Sequence, residues 1–390
     1  MRARAITGWG VVSPLGVGHT AFTEALSHPD SAREAAFRGP TEVLAEVAPG
    51  ARLAEVWDWD PKKWLGPKGH RTFDRLTKFL IVAAGQALAH AGIKRDREFV
   101  ALAPDRVGIC SATAYGSLDA ITELNRVAEL EDPRYINPTR FPNTVINAAA
   151  GYVSIWEDLR APNTTIVDGN CGALDAVLTA DLHLCRGRAD AFLVGGGEVL
   201  TEPLYLAMRK LGVVAEDAEA PGLHLGEGAA YVVVETLEGA LARGARVHAE
   251  LVGFGTSFDA PASEALLVHA SARAVEDAIR LALEDADVDA DEVDLVCASR
   301  SGFGVFDDAE ETALASVFGA STACVAPKRV VGETFGASGA MNLVALMAFF
   351  DGAPVAPLFR GEAPKRIRHA LVLTAGFYGN VSAVVLRRRD

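Results

Sequence analysis

Apolar residues follow two rhythms along this chain, and the same sequence of rhythms occurs twice. In TFDRLTKFLIVAAGQALAHAGI, the residues Leu76, Phe79, Leu80, Ala83, Ala87 and Leu88 recur at helical spacing, which predicts a long amphipathic helix. A short apolar run, Val107 to Cys110, follows and ends in small residues, as a buried strand does. The succession returns in EALLVHASARAVEDAIRLALEDADV and then DEVDLVCASRSGFGV. Two more pairs match. GNCGALDAVLTADLHLCRG and GASGAMNLVALMAFFDG both open from small-residue turns into helices apolar on several faces, which predicts burial. GEGAAYVVVETLEGALARG and GFYGNVSAVVLRRR are glycine turns feeding β-branched strands. The chain therefore reads as two halves, 1–245 and 246–390, of α/β class, with helices covering sheets. The helices after Gly169 and Gly336 are expected to lie between the sheets, and the irregular stretch 28–68 on the surface.

Composition narrows the function. With 390 residues the chain can build a large core, and its formal charge of −14 argues against nucleic acid as a partner. Its basic run, Arg387 to Arg389, reads as a solvated tail. The five cysteines contain no CxxC pair, so neither a disulfide framework nor a metal site is expected, and a reducing, cytoplasmic location fits. No apolar run has membrane length.

The order of motifs, from AITGWGVVSPLGVG through FPNTVINAAAGYVSIWEDLRAPNTTIVDG to GFYGNVSAVVL, resembles the β-ketoacyl synthase family over nearly the whole chain. The resemblance implies the thiolase-like, duplicated five-layered αβαβα fold. It also implies where chemistry would sit. Working members use an elbow cysteine that accepts the acyl chain. Two histidines, in HGTGT-like and KxNxGH-like segments, stabilise the enolate formed as malonyl groups lose carbon dioxide.

Here those three columns differ. Aligned without gaps to DGCTSGLD, Asp168-Gly169-Asn170-Cys171-Gly172-Ala173-Leu174-Asp175 puts Asn170 in the nucleophile column. Cys171 falls one place on, about 100° around a helix; a deletion in the turn would restore it as an alternative nucleophile. The segment VCASRSGFGVFDDAEETALASVFG resembles the first histidine loop, with register set by Asp308, Glu311, Ala313 and Leu314, and Ser299 takes the histidine column. In APKRVVGETFGASGAMNL, Lys328, Gly332, Thr334, Ser338 and Gly339 match, and Glu333 takes the second column. None of the nine histidines falls in either loop; His269 sits on a helical pattern and His369 begins a strand. A Glu333–Lys328 ion pair is the plain structural reading of that segment, and a base role for Glu333 the sharper one.

Within the family, the pattern resembles the chain length factors of type II polyketide synthases, whose elbow EQAGGLDA overlays GNCGALDA with Asn170 on the glutamine. The resemblance implies a subunit not catalytic by itself, paired with a catalytic ketosynthase through the strand at about 164–168 and bounding a polyketide tunnel. It implies no cofactor, since substrates ride on the phosphopantetheine arm of an acyl carrier protein. Tunnel and gate candidates are Leu118, Ile121 and Thr122, on one expected helical face, with Thr139, Arg140 and Phe377. Two alternatives stand beside it: a Cys171-dependent acyltransferase without decarboxylation, and a stand-alone acyl-binding homodimer.

Overall fold

The computed structural model describes residues 2–39, 41, 44–48, 50–215, 220–263 and 266–389. The first half contains, in chain order, β1 (Arg4–Ser13), α1 (Arg75–His90), β2 (Val107–Ala112), α2 (Leu118–Leu130), β3 (Asn163–Ile166), α3 (Gly172–Cys185), β4 (Ala191–Glu198), α4 (Glu202–Lys210) and β5 (Gly228–Thr236). The second contains β6 (Ala249–Phe258), α5 (Ala272–Ala286), β7 (Val293–Cys297), α6 (Gly304–Phe318), β8 (Ala323–Val325), α7 (Ser338–Phe350), β9 (His369–Ala375) and β10 (Asn380–Arg388).

Strand order repeats the plan: β3-β2-β4-β5-β1 in one half and β8-β7-β9-β10-β6 in the other. In each, the first three strands are parallel and the last two join antiparallel. The sheets are not separate. Arg4, Ala5 and Ile6 of β1 pair with Leu251, Glu250 and Ala249 of β6, so one hydrogen-bonded path runs through both halves.

The layers follow from side chains. Every residue of α7, SGAMNLVALMAFF, is buried, as expected of a helix with no charged residue and no polar face. It packs with α3 between the sheets, while α1 covers β1 and β5 and α5 covers β6 and β10. A further repeat explains how close the outer helices come. Gly8 and Gly10 of β1, and Gly253 and Gly255 of β6, face helix backbone. A Cβ on Gly10 would lie 2.2 Å from the Ala83 carbonyl oxygen, and one on Gly255 2.2 Å from that of Ala278. Only glycine permits that approach.

The stretch 28–68 corrects an expectation. It is not a surface excursion: Leu44, Leu53, Ala54 and Val56 are buried, and the Val56 amide donates to Glu227. Its residues 40, 42, 43 and 49 lie outside those described. No helix among the described residues is long and apolar enough to cross a membrane.

Three imidazoles meet at the far end of the central helix. His90 lies 4.1 Å from His19 and 4.6 Å from His248, centroid to centroid, and His248 Nδ1 is 3.2 Å from Asp351. Burial first, then the neighbouring His19 and His248, push His90 from the ordinary 6.5 down to about 4. The unfolded chain thus takes up a proton near pH 6.5 that the folded chain refuses until about 4. Stability is fully present above that window and falls as pH drops through it. Denaturant midpoints measured between pH 7.5 and 4.5 are expected to decline less steeply for His90→Gln than for the parent chain; equal slopes would remove His90 from the acid response.

Candidate functional site

The elbow is built where β3 ends. Gly169 takes φ +52°, in the left-handed region, and Gly169–Cys171 form a short 3₁₀ turn that leads into α3. Asn170 is buried and its Oδ1 has no hydrogen-bond partner. Cys171 is buried too. Its Sγ lies 3.5 Å from the carbonyl oxygens of Thr374 and Asn380, so the thiol is directed at the β9–β10 turn. Burial, then the carboxylates of Asp175 and Asp168, push this thiol up to about 12. Its position before α3 would favour a thiolate, but burial and two nearby acids outweigh that. At pH 8 the thiolate fraction is on the order of 10⁻⁴. Native-state alkylation is therefore expected to spare Cys171, and Cys171→Ala to cost on the order of 1 kcal/mol in stability. Stoichiometric labelling at Cys171 by peptide mass spectrometry would overturn this.

The two second-half loops are joined by one lysine. Lys328 Nζ lies 2.8 Å from Glu333 Oε2 and 3.3 Å from Ser299 Oγ, with all three residues buried. Ser299 Oγ also accepts the Ala375 amide at 3.0 Å. The remaining oxygen of Glu333 accepts from the Phe335 amide at 2.8 Å and the Ser338 hydroxyl at 2.7 Å. The expected Glu333–Lys328 pair is present, and its partners satisfy it. Such a closed network leaves no imidazole-like donor for a substrate carbonyl.

The loop register needs a detail corrected. Asp307 and Glu310, not their neighbours Asp308 and Glu311, hold the Ser299 loop. Glu310 accepts the Ser299 amide at 2.6 Å, and Asp307 accepts those of Ser301 and Gly302. Burial pushes Glu310 up to about 7. His269 is also corrected: it precedes α5, in a loop, where its amide donates to the Phe377 carbonyl and its Nε2 is buried without a partner.

The tunnel and gate candidates separate. Phe377 sits in a run of rings, 5.4 Å from Phe306 and 6.0 Å from Phe335, and Phe335 lies 5.4 Å from Tyr115. Leu118 packs against this cluster. Ile121, one turn on, is 39% exposed instead. Thr122 lines a cleft of about 560 Å³ between α2 and α4, with Val127, Leu200, Pro203 and Leu206. Thr139 and Arg140 lie on an exposed 3₁₀ turn, where Arg140 pairs with Glu123 of α2 at 2.8 Å. The α4 side of the cleft escaped the sequence reading because its apolar residues follow a Thr201 N-cap with no distinctive motif. No cluster of metal-ligating residues occurs among the described residues.

Residues 2–240 match the family described as "Beta-ketoacyl synthase, N-terminal domain", and residues 248–360 its C-terminal domain. The chain belongs to the β-ketoacyl synthase family. A relative from Coxiella burnetii, 3-oxoacyl-[acyl-carrier-protein] synthase 2, is 32% identical over 88% of this chain and 84% of its own. The actinorhodin polyketide putative beta-ketoacyl synthase 1 of Streptomyces coelicolor is 28% identical over 99% of this chain and 88% of its own. Among solved structures, the ishigamide ketosynthase/chain length factor aligns over all of both chains with a TM-score of 0.83 and 25% identity. The fold is thus the thiolase-like ketosynthase fold.

Proposed function

We propose that this chain is the chain-length-factor subunit of a heterodimeric type II polyketide ketosynthase. In this reading it bounds a polyketide tunnel for a catalytic partner and does not condense by itself. The observation that carries the reading is the occupied site: asparagine, serine and glutamate in the reactive columns, with Glu333 neutralised by Lys328. A negative carboxylate there would oppose enolate formation, and a paired one contributes nothing to it. Substrates would arrive on the phosphopantetheine arm of an acyl carrier protein bound by the pair.

The surface supports a partner. Among the described residues β3 pairs only with β2, which leaves its outer edge open. Val167, directly after that strand, is 52% exposed, and on α3 Leu182 is 48% exposed. An open strand edge flanked by apolar side chains calls for a covering subunit. The cleft lined by Thr122 would be completed by the partner and hold the growing chain.

The test is reconstitution with a ketosynthase that has an intact Cys-His-His set. A stable one-to-one complex is expected, and product length should follow bulk at Thr122. Thr122→Trp should shorten products by about one or two acetate units, at an overpacking cost of about 1–3 kcal/mol where the chain meets it. Thr122→Ala should lengthen them, with turnover changing less than length. A stable homodimer that carries its own acyl ligand and ignores the ketosynthase would overturn the reading.

A further inference from the structure

A second cavity, of about 340 Å³, lies on the outer face of α1 and shares no residue with the site above. Ile81, Val82, Gly85 and Gln86 of α1 line it, and the Gln86 side chain also accepts the Val11 amide of β1 at 3.0 Å. Gly85 keeps the floor low, since a Cβ there would come 3.3 Å from the Glu157 carboxylate. Trp64 and Trp156 form walls. Lys94 and Glu157, both buried, neutralise each other at 2.8 Å.

The rim is unusual. Asp96 and Arg97, at the tip of the hairpin Lys94–Arg95/Glu98–Phe99, both have positive φ, 49° and 70°. A long side chain such as arginine rarely adopts that conformation, and it costs stability where glycine would not. A two-residue hairpin turn requires positive φ at both of its central residues, and it fixes where the Arg97 side chain leaves the backbone. What it achieves is visible: the Arg97 guanidinium lies 4.7 Å from the centre of the Trp156 ring and makes no ion pair among the described residues. On the other wall, Lys63 lies 5.3 Å from the Trp64 ring but does not line the cavity. One cation stacked on an indole therefore stands at the rim beside the carboxylate of Asp96, while the other lining carboxylate, Glu157, is already paired with Lys94.

We propose that this cavity binds a small amphipathic carboxylate, with its aryl or acyl body between the tryptophans and its anion on the edge of Arg97. A stacked guanidinium keeps its N–H edge free for two parallel hydrogen bonds to a carboxylate, and the volume suits a ligand of one or two rings.

The test uses 2-naphthoate and its neutral isostere 2-naphthamide, titrated into the purified full chain by calorimetry and tryptophan fluorescence. One equivalent of naphthoate should bind, and naphthamide about tenfold or more weakly. Arg97→Gln should abolish the preference for the acid. Arg97→Gly should abolish it too while raising the melting temperature, because it removes the strain. Asp96→Asn should tighten naphthoate, and Val82→Trp should fill the floor and weaken both probes. Equal affinity for acid and amide, a preference that survives Arg97→Gln, or no saturable binding would each overturn the proposal.

Discussion

Replacing Lys328 with methionine is expected to cost about 3–5 kcal/mol of stability, the largest single effect of any substitution around the site. The lysine and Glu333 side chains are 2% and 1% exposed, so removing the cation leaves a carboxylate with no route to water. The two hydrogen bonds from Phe335 and Ser338 remain, but they do not replace a charge. The double substitution Lys328→Met with Glu333→Gln should recover much of the loss, since the amide oxygen still accepts from Phe335 and Ser338 and no buried charge is left. Urea midpoints of parent, single and double variants decide the matter. A single variant within about 1 kcal/mol of the parent would mean that water reaches Glu333 and that the pair is not a dry one.

Asn170→Cys should not turn the chain into a condensing enzyme. A thiol at the elbow supplies the acyl acceptor alone. The enolate would still form next to Ser299 and Glu333, and each lost donor costs about 10²–10³ in rate. The joint deficit is then about 10⁴–10⁶ relative to a Cys-His-His ketosynthase, if the two act independently. Condensation of acyl and malonyl groups on a carrier protein, followed with the purified variant and no partner, should stay at background. Turnover within about 10²-fold of a working ketosynthase would refute the placement of those columns. The two experiments separate two questions: the first asks whether the network is closed, the second whether a closed network is inert.

How much of the site the sequence carried can be read residue by residue. Asn170, Ser299 and Glu333 are assigned by laying short motifs without gaps, and the Lys328–Glu333 pair, read as the plain structural role of that segment, is present. Local sequence sets the tight turns and helix starts on which such motifs depend, so register survives even when the reactive residues do not. The loop acids were misplaced by one residue because Asp307-Asp308 and Glu310-Glu311 are doublets; only burial tells which member of each holds the loop.

The chain by itself determined the duplicated plan, the class of the fold and the burial of the central helix. Each of these follows from periodicity and composition over ten or more neighbouring residues. Tertiary structure alone decided the rest. Leu118 and Ile121 share a helical face, yet one meets the aromatic cluster and the other meets solvent, because α2 is covered only near its N-terminus. Cys171 stands where a helix would activate it, yet strands from the other half bury it and raise its thiol instead. The ring of Phe377 acquires its neighbours from segments around residues 306 and 335. Burial, charge pairing and thiol acidity are set by what arrives from distant parts of the chain, and periodicity names a face without naming what will cover it.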